Sequence, residues 1–146
     1  MIRPYRLEDK PVLLELLRLN IPRYFAPSEE QDFVEYLDQH LESYFVVEED
    51  GQLIGAGGIN YTPDGTEARI SWDFLHPNWQ RRGIGKKLIL HRIAEIKKDP
   101  DIRAITVRTS QLAYTFYQKM GFELLKTEKD FWAEGFDLYE MKLVVQ

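Results

Sequence analysis

The chain has 146 residues, a formal net charge of −5 and no cysteine. That length suits a single domain over residues 1–146, able to bury its own core without a metal or a disulfide. The lack of cysteine excludes disulfides, thiolate metal sites and cysteine nucleophiles, and the net acidity argues against a general binder of nucleic acid or anionic membrane.

Ile2 to Arg6 reads as a short strand. Asp9 is placed to cap a helix with Pro11 in its first turn and Val12, Leu13, Leu16 and Leu17 on an apolar stripe. Ser28 and Gln31 form a capping-box pattern, followed by Phe33, Leu37 and Leu41 at helical spacing. Tyr44 to Glu48 and Leu53 to Tyr61 read as strands joined by an Asp50-Gly51 hairpin turn. After the turn Thr62-Pro63-Asp64-Gly65, simple alternation predicts Ile70, Trp72 and Phe74 on one face, with Glu67, Arg69, Ser71, Asp73 and Leu75 on the other. Past Pro77 the period changes. Ile84, Leu88, Ile89, Ile93 and Ile96 mark an amphipathic helix that stops before Asp99-Pro100. Ala104 to Arg108 reads as a buried strand and Gln111 to Met120 as a short helix with Gly121 at its C-terminal stop. Phe122 to Lys126 and Phe136 to Val144 read as two last strands, joined by a longer polar and aromatic loop. The order predicts a mixed α/β domain with hairpins and at least one parallel crossover.

No stretch approaches the ~20 apolar residues of a membrane span, and Met1 to Lys10 alternates charged and apolar residues, unlike a signal peptide. A cytoplasmic protein with no membrane partner is expected. The three histidines, His40, His76 and His91, have no metal-ligand spacing, so no metal is expected.

The segment Gln80-Arg81-Arg82-Gly83-Ile84-Gly85 sits between a strand and a helix. Its glycines let the backbone approach a ligand closely. The first N–H groups of the following helix have no internal partners, and the helix dipole adds positive potential there. Arg81, Arg82, Lys86 and Lys87 then put cations where they oppose that dipole, at about 0.3–1 kcal/mol each when exposed, unless an anion is bound. A solvated basic helix start is the plain alternative. A phosphate-bearing cofactor accounts for the glycines and the cations together. A P-loop would need Ser or Thr where Lys87 stands, and a dinucleotide fingerprint would need glycine where Leu88 stands.

These residues resemble the GNAT superfamily of acyl-CoA-dependent N-acetyltransferases. Gln80, Gly83 and Gly85 match its Gln/Arg-x-x-Gly-x-Gly/Ala motif, and Leu75-His76-Pro77 is similar to the strand end before it. A second block, Ala113, Phe116-Tyr117 and Gly121-Phe122, is similar to the family's Ala…Tyr…Gly-Phe helix. The resemblance covers almost the whole chain. It implies a GNAT-like fold: a central, mostly antiparallel mixed sheet of about seven strands with about four helices. It also implies acetyl-CoA as acetyl donor. Backbone amides from Gln80 to Lys86, through Arg81, Arg82, Gly83, Ile84 and Gly85, would hold the pyrophosphate. The strand end Phe74, Leu75 and His76 would pair with the pantetheine arm, and Arg81, Arg82 or Lys87 would reach other phosphates. Many members carry Asn where this chain has Ser110, so Ser110 or Gln111 would supply that contact.

The implied reaction is acetyl transfer to a primary amine of a small molecule or peptide by direct attack, a mechanism that relies on positioning. Tyr117 is similar to the family's general acid, against a packing role on a face shared with Ala113. Asp73 is the nearest acid on the cleft-facing side of its strand and the candidate general base, against a solvated acid; the resemblance leaves a water-mediated base, or none, as alternatives. Tyr24, Phe25, Glu29, Glu30, Asp32, Trp132 and Glu134 are the acceptor candidates, because acidic and aromatic groups suit an amine. The family also includes homodimers. A non-catalytic acyl-CoA-binding sensor is the alternative function. A nucleic-acid module built on the basic turn is disfavoured by net acidity and by the lack of stacking aromatics beside those cations.

Overall fold

A computed structural model of the chain describes residues 1–145 and contains one seven-stranded sheet. The elements run β1 (Ile2–Pro4), α1 (Lys10–Arg18), α2 (Glu29–Glu35), β2 (Ser43–Glu49), β3 (Gln52–Tyr61), β4 (Glu67–Leu75), α3 (Ile84–Lys97), β5 (Ala104–Thr109), α4 (Tyr114–Lys119), β6 (Glu123–Ala133) and β7 (Phe136–Val144). The spatial strand order is β1-β2-β3-β4-β5-β7-β6. Every neighbouring pair is antiparallel except β4 and β5, which are parallel and joined by the α3 crossover. The implied mixed sheet with four helices is what the chain forms.

Helices cover both faces, as period-2 strands buried on two sides require. On one face Leu13, Leu16 and Leu17 of α1 and Phe33 of α2 pack against Tyr44, Val46, Ala56 and Phe74. On the other, Ile89, Ile93 and Ile96 of α3 and Tyr117 of α4 pack against Ile59, Ile70, Ile105, Val107 and Met141.

Two features of β4 shape the site. The first is a bulge. Ala56 opposes Phe74 and Gly58 opposes Ser71, so Trp72 and Asp73 together face the single residue Gly57. Trp72 takes up the extra residue at φ +49°, and its carbonyl accepts a 2.8 Å bond from the Tyr44 hydroxyl. The bulge breaks the simple alternation expected for this strand. Ile70 joins the α3 face, Trp72 and Phe74 the α1–α2 face, and Asp73 turns back toward α3. The second is a fork. β4 and β5 pair only from Glu67–Ala104 to Ile70–Val107. Beyond that point β4 stays with β3 and β5 with β7, so the two strands part.

Several local expectations changed. β1 ends at Pro4. Asp9 caps no helix by the expected bond; its carboxylate accepts from the Arg6 N–H and pairs with Arg3. The Ser28–Gln31 capping box does not form, because Ser28 is helical and makes no cap bond. The Glu29 carboxylate accepts from the Ala26 N–H at 2.7 Å instead. α2 ends in a π-helical turn, Tyr36–His40. α4 starts at Tyr114 after a turn. β6 extends to Ala133, so most of the expected loop is a strand closed by a tight turn at Gly135, φ +83°.

Candidate active site

The fork between β4 and β5 opens into a cleft of about 950 Å³. It runs from the turn before α3, past Asp73 and Tyr117, to Trp132 and Phe136 of the last hairpin. Of the expected cofactor residues, Phe74, Leu75, Gln80, Arg81, Gly83, Gly85, Lys86 and Ser110 line it, and His76, Arg82, Ile84 and Lys87 do not.

The turn is built as its glycines suggest. Gly83 is the residue before α3 and sits at φ +80° with open space around it. Arg81 also takes a positive φ of 65°, an uncommon conformation for a residue with a side chain. Ile84 is buried against Val47, Ile54 and Leu88, anchoring the first turn of the helix. The cations divide. Arg81 and Lys86 line the cleft, whereas the Arg82 guanidinium lies 4.8 Å from the Trp79 ring centre. Gln80 accepts a 3.1 Å bond from the Tyr24 hydroxyl, tying the turn to the segment between α1 and α2.

The end of β4 is less free than the resemblance implies. The His76 N–H donates to the Ile54 carbonyl at 2.7 Å, and His76 Nδ1 accepts from the Asn78 N–H. The Leu75 carbonyl accepts from Asn20 Nδ2 at 3.0 Å. Asn20 is buried and bonds the Leu16 carbonyl with the same group, so it locks the end of α1 to the cleft wall. Nothing in its sequence surroundings signals this. Across the fork, Ser110 Oγ accepts from the Leu112 N–H and helps shape the turn into α4.

Tyr117 and Asp73 meet. The Tyr117 hydroxyl donates to Asp73 Oδ2 at 2.5 Å. The other carboxylate oxygen faces Arg92 of α3, whose side chain is 1% exposed. Arg92 also donates from Nη1 to the Gly58 carbonyl at 3.1 Å and from Nε to the Leu88 carbonyl at 3.3 Å. A buried arginine is rare unless paired. Here the missing side chain of Gly57 makes the room, since a Cβ there would lie 2.7 Å from Arg92 Nη1. Tyr117 is set by its helix end. The Phe122 N–H bonds the Tyr117 carbonyl and the Gly121 N–H bonds the Gln118 carbonyl, with Gly121 at φ +100°. That is a Schellman stop, completed by the Phe122 ring edge-on to Tyr117 at 5.7 Å. Burial, then the Asp73 charge and hydrogen bond, push the Tyr117 hydroxyl well above its ordinary pKa of 10. The phenol therefore keeps its proton at neutral pH.

The acceptor candidates sort unevenly. Tyr24, Phe25, Glu29 and Trp132 line the cleft; Glu30, Asp32 and Glu134 do not. Phe25 stacks on Trp72 at 6.0 Å, and the Trp132 indole N–H donates to the Thr109 carbonyl. Glu29 is buried, and burial raises its pKa above the ordinary carboxylate value. Glu30 is held by Arg18. Among the described residues no cluster of His, Asp or Glu could hold a metal.

The sequence profile of the acetyltransferase (GNAT) domain matches residues 22–145. The chain belongs to the GNAT acetyltransferase family. An N-alpha-acetyltransferase of Sulfurisphaera tokodaii is 27% identical over 166 aligned positions, covering 96% of this chain and 90% of that protein. An amino-acid acetyltransferase of Pasteurella multocida is 27% identical over 84% of this chain, which spans only 27% of that longer protein. An aminoglycoside 6'-N-acetyltransferase solved with coenzyme A has the same fold, with a TM-score of 0.80 over the whole chain and 97% of its own, at 15% identity. The chain is thus an acyltransferase of a family that moves acetyl groups to amines, with acetyl-CoA as donor. The cleft suits that donor. It lies at the fork of the sheet, and its lining includes the glycine turn and the N-terminus of α3 with the cations Arg81 and Lys86. No helix of the described residues is long and apolar enough to cross a membrane.

Proposed function

We propose that this GNAT enzyme acetylates a primary amine of a small molecule or peptide by direct attack while donor and acceptor are both bound. The backbone from Gln80 to Lys86, with Arg81 and Lys86, holds the phosphates at the N-terminus of α3. Acetyl-CoA supplies the thioester carbonyl that the amine attacks and the sulfur that leaves. With no cysteine, no cysteine acyl-enzyme forms.

The chain's own part is proton handling at the Tyr117 hydroxyl. The observation that carries this reading is its 2.5 Å bond to Asp73 at the wall of the cleft. A phenol shifted above 10 is a weaker acid than a thiol near 8.5, so releasing its proton alone is uphill. The hydroxyl turns its proton from Asp73 to the leaving sulfur while its oxygen takes up the proton of the attacking nitrogen, which removes that penalty. The hydroxyl then ends as it began. Asp73 already carries a phenol and a guanidinium, so its role is to orient the Tyr117 hydroxyl rather than to act as a free base.

The test is release of coenzyme A thiol from acetyl-CoA across a panel of amines, for the wild type and Tyr117→Phe. Loss of the proton carrier lowers kcat by about 10²–10⁴, with cofactor affinity by calorimetry changed little. An unchanged kcat removes Tyr117 from the chemistry. Absence of turnover with every amine, alongside tight cofactor binding, favours a non-catalytic acyl-CoA sensor.

A further inference from the structure

The charges at the acceptor end of the cleft are the reverse of those expected for a bare amine. Arg69 of β4 and Arg108 of β5 line it. Arg69 is aligned with Thr106, and Arg108 lies two residues beyond Thr106, so both arginines stand on the α1–α2 face at the point where the strands fork.

Neither guanidinium has a carboxylate within ion-pair distance among the described residues, although the face is rich in acids. Those acids are already committed. Glu67, two residues before Arg69, pairs with Lys142 at 3.0 Å, and Glu140, opposite Arg108, pairs with Lys126 at 3.7 Å. Glu42 accepts from the Asn60 side chain, and Glu29 is turned to the Ala26 N–H. Asp73 is turned away, toward α3, where it pairs with Arg92.

Arg108 is also held in place. Its guanidinium lies 5.0 Å from the Phe131 ring centre and 5.7 Å from that of Trp132. Ring contacts fix the plane of a guanidinium while its N–H edge can still bind a carboxylate through two bonds. Arg69 lies four residues from Asp73, at most ~13 Å along a strand rising ~3.3 Å per residue. The long Arg69 side chain covers part of that distance, and the acceptor has only the remainder to span.

We propose that the acceptor bears a carboxylate as well as its amine, and that Arg69 and Arg108 bind the carboxylate while the amine lies beside Tyr117. This rests on the acetyltransferase reading above. The carboxylate is the shared chemistry of an α-amino acid and of a peptide with an acidic residue next to its terminus.

Two matched panels separate these sources, both read as kcat/KM for coenzyme A release. The first compares α-amino acids with their amides. The second compares C-terminally amidated tripeptides carrying Glu or Gln at the second position. The charged member of at least one panel should be preferred by about tenfold or more. Arg69→Gln, at an exposed position, should bring that ratio close to one. Arg108→Lys keeps the charge and the stem but loses the fork, and should reduce the ratio too. Equal kcat/KM for charged and neutral members in both panels overturns the proposal and leaves the acetyltransferase reading standing. So does a preference that survives both variants. No release from any acceptor removes that reading, and this one with it.

Discussion

Arg92 and Asp73 form an ion pair between α3 and the bulge of β4, and the two side chains differ sharply in exposure, 1% against 18%. The arginine is the desolvated partner. Its other donors are bonded to the Gly58 and Leu88 carbonyls, so its position is set from three sides. Asp73 in turn receives the Tyr117 hydroxyl. One buried guanidinium therefore fixes the group proposed to move the proton.

Arg92→Met tests that chain of contacts. Removing one partner of a buried pair costs about 3–5 kcal/mol. Partial exposure of Asp73 puts the expected loss near the lower end. Urea unfolding should show a lower midpoint, and Asp73→Asn on top of Arg92→Met should recover part of it, since no carboxylate is then left unpaired. A loss that the second change does not reduce would show that the arginine acts by packing alone.

Gly57→Ala probes the same site from β3. The new methyl runs into Asp73 Oδ1 and meets Arg92 Nη1 at 2.7 Å and Arg92 Cζ at 2.8 Å, all closer than real contacts allow. Overpacking of this kind costs about 1–3 kcal/mol. The Asp73 carboxylate and the guanidinium must both shift, which disturbs the bond to Tyr117, so kcat should fall together with the melting temperature. Gly51→Ala is the control, since its neighbourhood is empty and its cost is only that of a positive φ in a distant hairpin. It should lower stability and spare kcat.

The sequence disclosed the backbone plan better than the proton site. Gly83, Gly85 and the cations after them located the turn, because a tight bend at a helix start restricts residue type strongly. Tyr117 and Asp73 could each be singled out, yet not their contact. That contact depends on a bulge, and a bulge shifts alternation by one residue without a sequence signal other than a flanking glycine. Arg92 was invisible for a related reason. It sits on a helix whose other charged residues face water, and only the empty space over Gly57 lets it turn inward. At the proposed acceptor end, Tyr24, Phe25, Glu29 and Trp132 line the cleft as their types suggested, while Glu30, Asp32 and Glu134 lie outside it. Arg69 and Arg108 carried no signal in the sequence, because the fork that brings them to the cleft is a tertiary feature.

The two glycines of the turn should behave differently on replacement by alanine. Gly83 has no atom within 4 Å of a new methyl, so Gly83→Ala costs only the left-handed backbone, about 1–2 kcal/mol. Gly85 lies inside α3 with ordinary backbone, where alanine is favoured by about 0.5–1 kcal/mol. Its methyl would touch the Phe116 ring at 3.4 Å, which offsets that gain. Chemical denaturation should show Gly83→Ala clearly destabilised and Gly85→Ala near wild type. Both should bind coenzyme A more weakly by calorimetry, because both methyls enter the cleft wall. Equal stability of the two variants would contradict the φ assignment at Gly83.

Alkaline pH supplies the last test. Burial raises the hydroxyl pKa of Tyr36 to about 12 and those of Tyr44 and Tyr117 well above 10. In the unfolded chain each ionises near 10. Below pH 10 both states hold these protons and stability does not depend on them. Above pH 10 the unfolded chain loses protons that the folded one keeps, so stability falls with rising pH until the folded values are reached. Unfolding midpoints measured from pH 9 to 12 should be flat at first and then decline. Tyr117→Phe removes one titrating group and should make the decline shallower, at a cost in kcat. The wild-type rate should show no alkaline limb from Tyr117 below pH 10. A limb there that disappears in Tyr117→Phe would mean that the hydroxyl is an ordinary phenol, open to water and not held by Asp73.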